Sequence, residues 1–114
     1  MHRPGADPEH MTAEDFLCDF CGLCWAPERP MVEGHRGSLI CGVCLAEAHR
    51  VVVLRGEGVR LSEGEICTLC LAPKDEPHWR GPASTRPAAC KVCIKRSGAI
   101  LEKDPESGWT RPAT

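Results

Sequence analysis

A chain of 114 residues with nine cysteines, no Tyr and two Phe has room for one domain or two very small ones. It has too few large apolar side chains to hold either half together by burial alone. A formal net charge of −2 gives no whole-chain attraction to nucleic acid or to an acidic membrane surface, and no apolar stretch is long enough to cross a membrane.

Residues 1–12 read as a disordered tail; their polar start, with Pro4 and Pro8 and no apolar run, does not resemble a secretory signal. Residues 13–54 read as a first module. Its first cysteine pair, Cys18 and Cys21, falls on a tight turn, and Ser38-Leu39-Ile40 reads as a short strand leading into Cys41. From Gly42 to Leu54 there is no further Gly or Pro, and Leu45, Ala48 and Val52 recur at helical spacing, so a helix is predicted there, with Gly56 just past its end. Residues 55–65, with three glycines and mixed charge, read as a linker. Residues 66–103 read as a second module, ending in a helix from Lys91 to Lys103 with Pro105 beyond it. Gly98 weakens that helix by about 1 kcal/mol relative to Ala. Residues 104–114, with Pro105, Gly108 and Pro112, read as another loose tail.

The two modules are a repeat. Cys18, Cys21, Cys41 and Cys44 recur 49 residues later as Cys67, Cys70, Cys90 and Cys93, and Leu17, Phe20, Val43 and Leu45 recur as Ile66, Leu69, Val92 and Ile94. A rival register aligns Cys21-Gly22-Leu23-Cys24 with Cys67-Thr68-Leu69-Cys70, which makes Cys18 the spare, but it requires a gap before the second pair.

Modules this small need a staple, either disulfide or metal. A cytoplasmic location is expected, where thiols stay reduced and close cysteine pairs bind metal. Each module carries C-x2-C-x19-C-x2-C. One pair on a turn and one at the entry of a helix can place four thiolates at tetrahedral corners, about 2.3 Å from a zinc ion. The helix N-terminus favours the negative zinc–thiolate centre. Two zinc ions are therefore expected, one held by Cys18, Cys21, Cys41 and Cys44 and one by Cys67, Cys70, Cys90 and Cys93. Four protein sulfurs leave no position for water or substrate, so both sites read as structural. Iron in the same cage is the chemical alternative. Cys24 is left over, either outside the site or exchanging with Cys18 or Cys21. Nothing in the spacing of His35, His49 or His78 requires them as ligands, and Trp25, Trp79 and Trp109 read as packing or surface residues.

The first module resembles the N-terminal zinc-binding domain of the ClpX unfoldase family. The likeness runs from Leu17-Cys18-Asp19-Phe20-Cys21-Gly22 through Arg29 and Met31-Val32-Glu33-Gly34 to Leu39-Ile40-Cys41-Gly42-Val43-Cys44-Leu45. The second module keeps the ligand spacing and the helix, lacks Phe-Cys-Gly, and matches only loosely around Trp79-Arg80-Gly81-Pro82. The resemblance implies a small zinc-stabilised α+β fold of two tandem treble-clef-like C4 modules, each a knuckle, a short hairpin and a helix. It also implies dimerisation and the binding of adaptor or substrate proteins. Cys24 and the absence of a G-x-x-x-x-G-K-[ST] phosphate loop depart from the family, so ATP hydrolysis is not expected of this chain.

Three function classes are open to these residues. A protein-interaction module leads: an adaptor, a client binder or a self-associating unit, with Met31, Val32 and Trp79 as contact candidates. A linker reaching ~18 Å as a coil would let the two modules pair within one chain. In that pairing Leu45, Val51, Val52, Ile94, Ile100 and Leu101 lie near the contact; the alternative is that they only close each module's own small core. Nucleic-acid binding through Lys91, Lys95, Arg96 and Lys103 is second. Catalysis is third: Glu14, Asp15 and Asp19 lie near the first site, but no nucleophile–His–acid pattern accompanies them.

Overall fold

The structure, a computed structural model, describes residues 15–114. The tail read at 1–12 lies outside the described residues. The fold is a small α+β arrangement of two antiparallel hairpins and two helices.

Each half begins with a sulfur-bearing turn. In the first, Gly22 N–H donates to Cys18 C=O (2.8 Å) and Cys18 N–H to Leu23 C=O (3.0 Å). In the second, Leu71 donates to Cys67 (2.8 Å) and Cys67 to Ala72 (3.0 Å). The turn demands a left-handed residue: Gly22 has φ 78° and Leu71 has φ 61°. Strand β1 (Met31–Glu33) then pairs with β2 (Leu39–Cys41), with Val32 opposite Ile40. Helix α1 (Gly42–Ala48) follows directly and continues in π form over His49–Leu54. In the second half β3 (His78–Arg80) pairs with β4 (Ala88–Cys90), with Trp79 opposite Ala89, and α2 (Lys91–Lys103) follows. Both helices fall where expected, the first from its apolar spacing and the second from the repeat.

A single core serves both halves. Phe20, Val32, Ile40, Leu45 and Val52 of the first half are buried with Leu69, Trp79, Ala89, Ile94 and Leu101 of the second. β1 packs on α2, and β3 packs on the π-helical end of the first helix. The rings of Phe20 and Trp79 stack at 5.7 Å, worth about 0.5–1.5 kcal/mol beyond the area they bury.

The cross-contacts are reciprocal, as in a two-fold interface where residue i meets j and j meets i. His35 N–H donates to Leu69 C=O (2.8 Å), while Ala83 N–H donates to Phe20 C=O (3.0 Å). Gly34 lies against the backbone of Leu69, and Gly81 lies against that of Phe20. Leu69 and Phe20 are equivalent in the repeat, and Gly34 and Gly81 each follow the last residue of the first strand of a hairpin.

Three sequence expectations change. Val32 and Trp79, offered as surface contact residues, are buried, because each is the central residue of a three-residue strand packed into the shared core. Ile100, about half exposed, does lie where the two halves meet, in a groove shared with Glu33, Gly34 and His35. Residues 104–114, read as a loose tail, lie across the helices instead. Ser107 Oγ donates to Leu101 C=O (2.6 Å), Trp109 Nε1 donates to Gly42 C=O (2.8 Å), and Arg111 forks onto Glu102 (2.9 and 3.1 Å). The stretch read as a linker is also docked: Val59 and His78 exchange backbone hydrogen bonds (2.9 and 2.7 Å), and Arg60 meets Asp75 (2.9 Å). Among the described residues, no helix is long and apolar enough to cross a membrane.

Candidate metal centres

The turn, the last residue of a hairpin and the first turn of a helix meet twice. Cys18 and Cys21 come from the first sulfur-bearing turn, Cys41 ends β2, and Cys44 lies in the first turn of α1. Cys67, Cys70, Cys90 and Cys93 repeat this in the second half. In each set the four sulfurs lie within 4.8 Å of one another, so each can hold a metal ion. Cys18, Cys41 and Cys44 are buried with Cys21 half-buried, and Cys67, Cys90 and Cys93 are buried with Cys70 half-buried. The structure places Cys18, and not Cys24, in the first cluster; Cys24 instead pairs with Leu17 in an isolated β-bridge. His35, His49 and His78 join neither cluster.

The spacing fits an ion better than a disulfide. Cys18 and Cys44 sulfurs are 3.9 Å apart, Cys21 and Cys41 3.9 Å, and Cys70 and Cys90 4.0 Å. A tetrahedron with metal–sulfur distances near 2.3 Å has edges of about 3.8 Å, whereas a disulfide requires about 2.05 Å. Backbone N–H groups already point at the sulfurs. Phe20 and Cys41 donate to Cys18 Sγ (3.4 and 3.3 Å), Cys44 to Cys41 Sγ (3.5 Å), and Cys90 to Cys67 Sγ (3.4 Å). One charged donor joins them: Lys74 Nζ lies 3.4 Å from Cys90 Sγ. No pattern in the sequence marks Lys74, four residues beyond Cys70 on an irregular segment.

The thiols of each cluster act on one another's protons. Hydrogen bonds from the Cys41 and Cys44 thiols hold Cys18 down at about 2. Donating to Cys18 pushes Cys41 up to about 12, and Cys44 is driven up for the same reason. In the second cluster Cys90 and Cys93 hold Cys67 at about 3, and Cys93 is driven up in turn. Without a cation, Cys18 and Cys67 are favoured as thiolates while Cys41, Cys44 and Cys93 hold their protons, because adjacent negative sulfurs repel. A divalent ion displaces those protons and neutralises the charge.

Comparison with family models, with curated proteins and with solved structures finds no match to this chain.

Proposed function

We propose that the chain is a zinc protein with two structural four-cysteine centres, and that it works as a protein-interaction module similar to the zinc domain of the ClpX unfoldase. The observation that carries the zinc reading is the pair of buried four-sulfur clusters, each with tetrahedral spacing and every corner supplied by the protein. Zinc bound this way supplies folding free energy, roughly 10–16 kcal/mol per site in small peptides near neutral pH, and no open coordination position for chemistry. Knuckle, hairpin and helix around each cluster support a treble-clef-like module.

The reciprocal packing supports a further step: two modules that pair within one chain stand in for a dimer. A groove of about 530 Å³ crosses this pairing, lined by Asp19, His35, Arg36 and Ser38 on one side and Ile66, Thr68 and Leu71 on the other. Ile66 and Leu71 are exposed apolar residues there, and they replace Val32 and Trp79 as the positions for a protein partner to meet.

Metal analysis of the purified chain should return two zinc ions per molecule. Stripping them with a strong chelator should collapse the far-ultraviolet circular dichroism. A metal-free chain with an unchanged spectrum refutes the zinc reading. Pull-down with the zinc-loaded chain and with Leu71→Glu should recover a partner only with the former; the same partners on both refute the groove.

Nucleic-acid binding is kept as a second reading because Lys91, Lys95, Arg96 and Lys103 are all exposed on α2, while Glu102 is occupied by Arg111. It requires an affinity that falls steeply with added salt.

A further inference from the structure

The two clusters are built alike but not charged alike. Four thiolates around a divalent ion carry a formal charge of about 2−. In the second cluster Lys74 Nζ donates to Cys90 Sγ at 3.4 Å. The residue 49 positions earlier is Trp25, which carries no charge. Among the described residues, the other hydrogen bonds onto cluster sulfurs come from neutral backbone N–H groups or from another cysteine thiol.

An ammonium on a metal-bound thiolate does two things. It offsets part of the negative charge that the four sulfurs share, and its hydrogen bond holds that sulfur in place. A chelator takes the ion only as sulfurs leave it. The sulfur that Lys74 holds is therefore harder to detach, and among the described residues the first cluster has no charged counterpart. Groups of this kind around metal ligands commonly change affinity by roughly 10–100-fold when removed.

We propose that Lys74 is a positioning residue of the second centre that makes it the less labile of the two, so that the first centre gives up its ion first. This rests on the reading that both clusters hold zinc. The segment carrying Lys74 links the second turn to β3 and is part of neither the hairpin nor the helix. Its substitution therefore alters the charge on the cluster without cutting an element of the fold.

The test uses the zinc-loaded full chain, challenged with excess EDTA and followed by a metallochromic indicator. The wild type should release zinc in two phases of equal amplitude. Amide NMR spectra taken during release should show residues around Cys18 and Cys41 changing before those around Cys67 and Cys90. Lys74→Met should speed the slow phase by roughly tenfold and leave the fast phase unchanged, while Lys74→Arg should keep the slow phase slow. Release in one phase, an unchanged slow phase in Lys74→Met, or equal acceleration of both phases overturns the proposal. A chain that purifies without metal refutes the zinc reading beneath it. Two ions lost at rates indifferent to Lys74 refute only the role of Lys74.

Discussion

Alanine at Gly81 separates a docked pair of modules from two modules that merely share a chain. Gly81 has no left-handed backbone to protect, so a methyl group there meets only its neighbours. Those neighbours belong to the other half: the added Cβ would lie 2.6 Å from Phe20 O, 2.8 Å from Phe20 Cβ and 3.0 Å from Phe20 Cα. Ordinary contact begins near 3.4 Å, so the two halves must part by about 0.8 Å. Phe20 cannot swing aside, since it sits between Cys18 and Cys21 in the sulfur-bearing turn. The same oxygen also accepts from Ala83 N–H. Overpacking of this kind costs about 1–3 kcal/mol. Loss of glycine freedom in the unfolded chain returns about 0.4–1 kcal/mol. Gly81→Ala should therefore lose about 1–2 kcal/mol, read as a lower urea midpoint at constant slope by Trp fluorescence of the zinc-loaded chain. Gly34→Ala meets Leu69 O at 2.7 Å and Leu69 Cα at 3.0 Å and should lose a similar amount. Because both substitutions strain the same interface, the double variant should lose less than the two losses combined. Single variants as stable as the wild type, or strictly additive losses, would show that the halves are not docked in this way.

Other perturbations read other parts of the structure. His49 is buried, and burial first, then the nearby Arg111 charge, holds its imidazole below the ordinary value. Its contribution is therefore full above about pH 6.5, the unfolded value. It is lost as the pH falls through the lower folded value, because the unfolded chain takes up the proton first; the stability difference between wild type and His49→Gln should shrink or reverse over that window. Trp109→Ala should cost about 2 kcal/mol, below the 3–5 kcal/mol of a fully buried Trp, and Trp109→Phe about 1 kcal/mol for the lost bond to Gly42; a melting temperature unmoved by either would return 104–114 to a loose tail. Gly98→Ala should stabilise the chain by up to about 1 kcal/mol through helix propensity, read as a raised melting temperature, since its Cβ meets Trp109 and Arg111 only at 3.5 Å.

The chemistry of the site is more legible in the sequence than the packing around it. Cysteine spacing and the 49-residue shift separate Cys18 from Cys24, and the apolar spacing of Leu45, Ala48 and Val52 marks the first helix. The strands are harder because each is only three residues long, too short for alternation to declare itself. With no alternation to read, Val32 and Trp79 pass for outward-pointing loop residues. The docking of 104–114 leaves even less trace. Its most distant contact is one Trp finding one carbonyl on a helix 67 residues away, and a Pro- and Gly-bearing segment with a single aromatic has no periodicity to show it.

The repeat itself explains why the second module resembles the first so loosely. The cysteines, the second strand of each hairpin and the helices repeat at a shift of 49, yet the first strand repeats at 47: Met31 pairs with Cys41, and His78 pairs with Cys90. The second hairpin has two more residues between its strands and two fewer between its turn and its first strand. The loop between cysteine pairs therefore keeps its length while its contents slide. The metal geometry restricts only the ends of that loop, where turn and helix must meet at four sulfurs. The interior answers to the other half, which must receive a glycine at the strand end: Gly34 against Leu69, Gly81 against Phe20. At a shift of 47, Val32-Glu33-Gly34 falls on Trp79-Arg80-Gly81, and Val32 and Trp79 become the same inward position. The glycine that closes each stretch is where the two halves touch, so the register that aligns the first strands is the one that aligns the docking contact.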